Sequence, residues 1–569
     1  MQATSVLEAF LELVHQDPEV AVVMEKRHGL WQRRTRRQLA EQISVVARGL
    51  VEQGLGAGDT VMIAAADHAE WLVMDLAVQA TGARVCAVTP DVPDDVLLRV
   101  ASEAGATIVV VSGQSSSDRL LELIGSGGTR LGSVIDVAPA GPTSSSDPRV
   151  TPLSVIEERG AAAAGDADWL RARAFALDAA GAAVFAVSSG VVTTRHSVVL
   201  THGALFAGAQ AVVAAAELDE RDRVFAFRPL ADPTERTTTI YSSLLAGALL
   251  ALAETRAQVA DAMYEVAPTY VHVTRRWLDQ TASGVVSRLA ANRGLKKMIS
   301  RRWVRDVSQG TGDAPAGPLI RYSVVEKLGL DKARTIVVSG SPLGASERRF
   351  AAALGLPVRP AYSLTEAGGI VTLASSLPEV SGACGDALPG VGIQIDPTGK
   401  VVVAGPSIAG GRVETGDMGD HDGDQLILHG REDARIRVGA ERIPSLPLET
   451  TLRRSPHIRE AVVEEEDGRV VLTLELVEEA VTRWATDRGI TFATFRALSE
   501  MDEVAEFVRA TVEPLAAEGG LERIDEIRVL PVPLEAVPGA LSPSGRLRRE
   551  TVTAFAAERR AGTAGTTTG

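Results

Sequence analysis

The stretch Thr60–Gly113, "TVMIAAADHAEWLVMDLAVQATGARVCAVTPDVPDDVLLRVASEAGATIVVVSG", decides the fold class. Within it "TVMIAAA", "RVCAVTP" and "TIVVVSG" are short apolar runs rich in β-branched residues. The intervening "HAEWLVMDLAVQATGA" and "DDVLLRVASEAGA" repeat apolar residues at helical spacing. Strand and helix in strict alternation predict a parallel sheet with helices on both faces, an α/β fold. Just upstream, Thr35 and Gln38 have the spacing of a capping box. Leu39, Ile43, Val46 and Leu50 then follow on one helical face until Gly54 and Gly56 stop the helix.

Outward from this stretch the pattern changes twice. Between about 114 and 182 the chain turns to Ser, Gly, Pro and Ala ("GQSSSD", "GPTSSSDP", "GAAAAGDAD"), which reads as surface loops around short elements. Organised α/β pattern resumes from Val184 to about Leu373, followed by a strand- and Gly-rich stretch over about 382–429. Beyond Gly430, "IREAVVEEEDGRVVLTLEL" reads as a hairpin around Asp467-Gly468, with helices expected near 477–487 and 500–517. The expected organisation is therefore a large N-terminal domain (1–430) of doubly wound sheets with a strand-rich subdomain. A small mobile α+β C-terminal domain (431–560) and a disordered tail (561–569) follow.

The 569 residues carry a formal charge of −15, from 58 Lys plus Arg against 73 Asp plus Glu, which disfavours nucleic acid or an anionic membrane as partner. The two cysteines, Cys86 and Cys384, lack ligand spacing and read as buried thiols. "MQATSVLEAFLELVHQDPEV" has no basic n-region and reads as an amphipathic helix, so a cytoplasmic location is expected. The longest apolar run, Ile240–Glu254, is shorter than the roughly 20 residues that span a bilayer and reads as a core helix.

Five further stretches bear on chemistry. "SSGVVTTRHSVVLTHG" (Ser188–Gly203) is a strand exit, a small polar loop of a kind that folds around phosphate, and a β-branched run. In order along the chain come "RPLADPTER" (Arg228–Arg236), "SGSPL" (Ser339–Leu343) with "AYSLTEAGG" (Ala361–Gly369), "ETGDMGD" with "GREDARIRVGAERI", and "LSPSGRLRRE". Taken together and in order, they resemble the motifs of the adenylate-forming superfamily and, within it, the long-chain fatty acyl-CoA ligases, over about residues 5–558.

That resemblance implies activation of a medium- or long-chain carboxylic acid by ATP through acyl-AMP, then transfer to a thiol, usually that of coenzyme A. Small molecules are the implied partners. It places Ser188, Ser189, Gly190, Arg195 and His196 in the phosphate loop. It puts Thr365 and Glu366 at the α-phosphate and Mg2+, with Glu366 as metal ligand, and Ser341 and Tyr362 beside adenine. Asp417 falls at the ribose, Arg431 at the ribose and hinge, and Asp433 at the hinge itself. Arg546 falls at the lysine that swings in for adenylation. A carboxylate suits magnesium as a hard oxygen ligand, and cations with N–H donors suit charge that develops on phosphate.

The chain departs from those motifs at chemically sensitive places. Val191 and Val192 replace hydroxyl residues, Thr193 a glycine, Arg195 a proline, His196 a lysine, Asp232 a histidine and Arg546 a lysine. Arginine keeps the charge of lysine but needs different room, and histidine is charged only when its surroundings raise its pKa. Two readings of the residues follow: an acyl-CoA ligase, and a catalytically silent ligase homologue that binds an acyl chain or nucleotide or acts as a scaffold.

Overall fold

The computed structural model describes residues 3–138, 146–163, 168–187, 197–290, 317–438, 441–521, 523–542 and 547–564. Among these, the alternation at Thr60–Gly113 forms as expected: strands Thr60–Ala64, Arg84–Ala87 and Ile108–Val111 are parallel neighbours, joined by helices Ala69–Ala80 and Asp94–Ala104. Their sheet continues through Ser133–Asp136 to Val150–Pro152 on one side and through Ala182–Val187 on the other. Ser197–Thr201 closes it as an antiparallel edge strand. The Thr35 capping box is present at helix Arg36–Glu52, which buries Leu39, Ile43, Val46 and Leu50.

A second seven-stranded sheet runs Val358–Pro360, Thr335–Ser339, Tyr270–Thr274, Arg223–Ala226, Leu249–Leu252, Ala21–Arg27 and Leu30–Thr35. It is parallel except at the last pair. Helices between and around the two sheets join them into one large hydrophobic cluster, in which Trp71, Tyr241 and Phe10 are fully buried. The strand-rich stretch becomes a six-stranded antiparallel sheet whose central pair is Arg412–Asp422 and Gln425–Arg431. The C-terminal residues have a separate cluster: hairpin Ile458–Glu466 with Arg469–Leu476, strand Glu526–Val529 and helices Ser445–Leu452 and Asp502–Glu518. Asp467 (φ +50°) and Gly468 (φ +75°) make the hairpin turn, a left-handed pair that Asp-Gly favours.

Three expectations need correction. Ile240–Glu254 is not one core helix: a π-turn over Arg236–Tyr241 leads into helix Ser242–Ala246, Gly247 (φ +69°) ends it, and Leu249–Leu252 is a strand. "GQSSSD" is not a loop, because Gln114–Gly125 is helical. Ser117 and the Gly113 amide both donate to buried Asp136. Residues 561–564, expected in the tail, belong to the helix Arg549–Ala564, and 565–569 lie outside the described residues. Cys86 and Cys384 are free and buried, and burial pushes each thiol up to about 12. No helix among the described residues is long and apolar enough to cross a membrane.

The C-terminal cluster is joined to the second sheet by charge. Arg275 and Arg276 open the helix Arg275–Ala290 that leaves strand Tyr270–Thr274. Arg275 bonds Glu347 at 3.0 Å and also Glu460, whose other oxygen takes Arg453 at 2.6 Å. Arg276 grips Glu475 at 2.8 and 2.9 Å and Glu535 at 2.5 and 2.7 Å. Burial would raise the Glu460 carboxyl, but Arg275 and Arg453 outweigh it and hold it down at about 2.

Candidate active site

The carboxyl edge of the second sheet, the six-stranded sheet and the C-terminal cluster enclose a cavity of about 540 Å³. Open parallel sheets present ligands at this edge, because loops leaving the strand ends diverge there. Ser341 follows the buried strand Thr335–Ser339, and Tyr362 follows Val358–Pro360. Thr365 and Glu366 occupy a single tight turn between strands Ser363–Leu364 and Gly369–Ile370. All four line the cavity, together with Asp417, Arg431 and Asp433.

Cross-strand register brings the last group together: Asp417 and Arg431 are direct partners across the antiparallel pair. Arg431 Nη1 lies 3.6 Å from Asp417 Oδ1, and its Nε and Nη2 lie 3.2 and 3.4 Å from the Asp433 carboxylate. On the other side of Asp417, Tyr362 Oη donates to Oδ2. The Asp417 amide donates to Thr415 Oγ1 (3.1 Å), whose hydroxyl in turn donates to the Val401 carbonyl (2.9 Å). Gly416 sits between them with φ +73°, and a Cβ there would meet Arg431 Nη2 at 2.9 Å, so this turn needs glycine.

Every sequence-predicted site residue that is described therefore lies on this one cavity. Ser188, Ser189, Gly190, Arg195, His196 and Arg546 lie outside the described residues, although Leu547, next to Arg546, lines the cavity. Sequence reading missed the C-terminal wall. Arg549 lines the cavity and bonds Glu449 (2.6 Å) and the Val463 carbonyl (2.6 Å), while Arg453 and Glu460 extend that wall. The available signal was the third basic residue of "GRLRRE".

Asp232, which stands where the resembling motif has histidine, does not line this cavity. It is buried, caps the Thr234 amide (3.0 Å) and accepts from Arg228 Nη2 (2.6 Å). Arg228 Nη1 also approaches His272 Nε2 (2.7 Å), and His272 Nδ1 faces Glu235 Oε2 (2.9 Å). Ser339 Oγ lies 2.8 Å from His272 Nε2, giving a Ser-His-Glu row, but each of the three is at most 1% exposed. Burial and Arg228 keep His272 neutral, far below its ordinary pKa, and burial pushes Glu235 up to about 8. The row is a sealed structural network under the sheet edge.

Comparison with known proteins assigns the family. The family described as AMP-binding enzyme matches residues 11–411. The chain belongs to the AMP-binding enzyme family. Among its relatives, a Mycobacterium bovis protein named long-chain-fatty-acid–CoA ligase FadD15 is 25% identical across 94% of this chain and 93% of its own. The Arabidopsis thaliana long chain acyl-CoA synthetase 7, peroxisomal, is 22% identical across 92% of this chain and 80% of its own.

Solved structures of the AMP-binding fold superimpose over nearly the whole chain. The anthranilate CoA ligase AuaEII in complex with anthranoyl-AMP gives a TM-score of 0.71 at 16% identity, covering 98% of both chains. A benzoate CoA ligase from Burkholderia xenovorans LB400 gives 0.70 at 18% identity, covering 96% of this chain and 99% of that one. The mixed α/β architecture is thus that of adenylate-forming enzymes.

Proposed function

We propose that this AMP-binding enzyme activates a medium- or long-chain carboxylic acid with ATP and passes it to the thiol of coenzyme A. In the first step a carboxylate oxygen attacks the α-phosphorus, the bond to the bridging oxygen breaks, and pyrophosphate leaves with acyl-AMP retained. In the second, the thiol sulfur attacks the acyl carbonyl, AMP departs with the bonding pair, and the thiol proton passes to solvent. The observation that carries the reading is the convergence of Ser341, Tyr362, Thr365, Glu366, Asp417 and Arg431 on one cavity.

In this reading Asp417 accepts from the ribose hydroxyls. Arg431, paired to both Asp417 and Asp433, fixes that carboxylate and marks the joint to the C-terminal cluster. The Thr365 hydroxyl donates to an α-phosphate oxygen, Ser341 and Tyr362 flank the base, and Ser188, Ser189, Gly190, Arg195 and His196 take the β- and γ-phosphates. Arg546 supplies positive charge at the α-phosphate.

No group of three or more His, Cys, Asp or Glu able to hold a metal occurs among the described residues. One carboxylate on a cavity wall nevertheless fits magnesium, which ordinarily binds through one or two carboxylates plus substrate phosphates, so Glu366 would hold it. The ion would neutralise charge on the phosphates.

The substitutions at His196 and Arg546 favour a second reading, a ligase homologue that binds without turnover. One experiment separates the two. The full-length protein is incubated with Mg-ATP, coenzyme A and a panel of saturated acids, and acyl-AMP and acyl-CoA are sought by mass spectrometry. Acyl-CoA from a medium or long acid supports the ligase. AMP binding with no acyl product from any acid supports the silent homologue.

A further inference from the structure

A second cavity, of about 280 Å³, lies beside the first and shares Pro342, Leu428 and Leu446 with its wall. One face comes from the N-terminal part, with Arg348 on helix Ala345–Leu354, Ser381 and His429. The other comes from helix Ser445–Leu452 and its continuation, with Thr450 and Arg454. Two of its basic groups are already compensated, Arg454 by Glu518 and His429 by Asp420 (2.8 Å).

Arg348 is different. Its Nη1 is buried without a hydrogen-bond partner, and its guanidinium has no ion-pair partner among the described residues. The adjacent carboxylate, Glu347, is taken by Arg275. Burial consequently draws the Arg348 pKa below its ordinary value. Glu347 offsets its charge only in part, with no direct ion pair, and the guanidinium stands at a cavity that Ala345, from the same helix, also lines. On the opposite wall Thr450 Oγ1 accepts from Arg453 (3.2 Å), which leaves its hydroxyl proton to donate.

We infer that this cavity is a second anion site, distinct from the nucleotide cavity, that takes a phosphate or diphosphate group between Arg348 and Thr450. A tetrahedral anion suits it because donors approach from two walls, and guanidinium forks match phosphate oxygens. An anion there would tie the N-terminal part to the C-terminal cluster. Its source is either free pyrophosphate or the phosphates of a thiol carrier.

The test uses the full-length protein at constant ionic strength with chloride as reference. Thermal unfolding and calorimetry follow titration with inorganic phosphate, pyrophosphate and coenzyme A. Wild type should gain stability with at least one of the three, and Arg348→Gln should weaken that binding roughly tenfold without lowering the anion-free midpoint. Arg348 does not line the nucleotide cavity, so its loss reports on the second cavity alone. Thr451→Glu, which puts a carboxylate on the same wall, should raise the anion-free midpoint and abolish the response. It decides the matter should Arg348→Gln fold poorly. Tightest binding of pyrophosphate names the free anion as ligand, and tightest binding of coenzyme A names the carrier. A wild-type protein indifferent to all three anions, or variants that titrate like wild type, would overturn the assignment.

Discussion

Tyr362 Oη donates to Asp417 Oδ2, although the two residues are 55 positions apart, one in the loop after strand Val358–Pro360 and the other on strand Arg412–Asp422. The bond ties the carboxyl edge of the second parallel sheet to the antiparallel sheet, and both residues line the larger cavity. Asp417 is thereby oriented from both sides, by Tyr362 and by its strand partner Arg431 at 3.6 Å. A carboxylate held in this way meets a diol without first paying the cost of ordering itself.

Tyr362→Phe removes that orienting bond and leaves the ring. Hydrogen bonds to charged groups contribute about 1.5–3 kcal/mol. AMP affinity measured by calorimetry should therefore fall roughly ten- to a hundredfold. Unchanged affinity would show that Asp417 is positioned without Tyr362.

Glu460 receives Arg275 from the N-terminal part and Arg453 from its own cluster. Glu460→Gln leaves two buried guanidinium groups short of a counter-charge, and breaking a buried ion pair costs about 3–5 kcal/mol. Urea unfolding should show a loss of that order, beginning in the C-terminal cluster. A midpoint equal to that of wild type would contradict the seam.

Asp232 is a structural residue here, buried against Arg228. Asp232→His, which restores the residue of the resembling motif, should destabilise the protein by about 3–5 kcal/mol, because buried Arg228 loses its direct carboxylate partner and keeps only Glu235 at 3.8 Å. A gain in thermal stability would show that the network tolerates the exchange.

Glu235 gives a pH signature. Its folded pKa is raised to about 8, so the folded state holds a proton that the unfolded state releases above its ordinary value of 4.5. That contribution to stability is fully present below pH 4.5 and is lost as pH rises through about 8. His272, depressed far below 6.5, has the opposite slope, confined to pH below about 6.5. Between pH 6.5 and 8 stability should fall with pH by at most about 1.4 kcal/mol per unit on Glu235's account. Glu235→Gln should flatten that fall, as chemical unfolding at several pH values would show.

The sequence alone made much of this legible, and its failures have physical causes. Thr60–Gly113 was readable because its strands are buried on both faces and its helices keep helical spacing. Ile240–Glu254 was not, because a buried helix and a buried strand have the same apolar composition, and only Gly247 at φ +69° divides them. "GQSSSD" looked like a loop because its partner, Asp136, lies 22 residues beyond Gln114. Asp417 and Arg431 were placed by motif, but their pairing depends on strand register, and Arg348's want of a partner depends on tertiary packing. Neither is written in local spacing.

The proposed function stands or falls on whether the cavity around Asp417 holds a nucleotide. The most direct test is calorimetric titration of the purified protein with AMP and with Mg-ATP, beside Asp417→Ala and with folding checked by circular dichroism. Wild type should bind saturably, and Asp417→Ala should weaken that binding at least tenfold with the fold intact. Absence of binding by wild type, or equal binding by the variant, would contradict it.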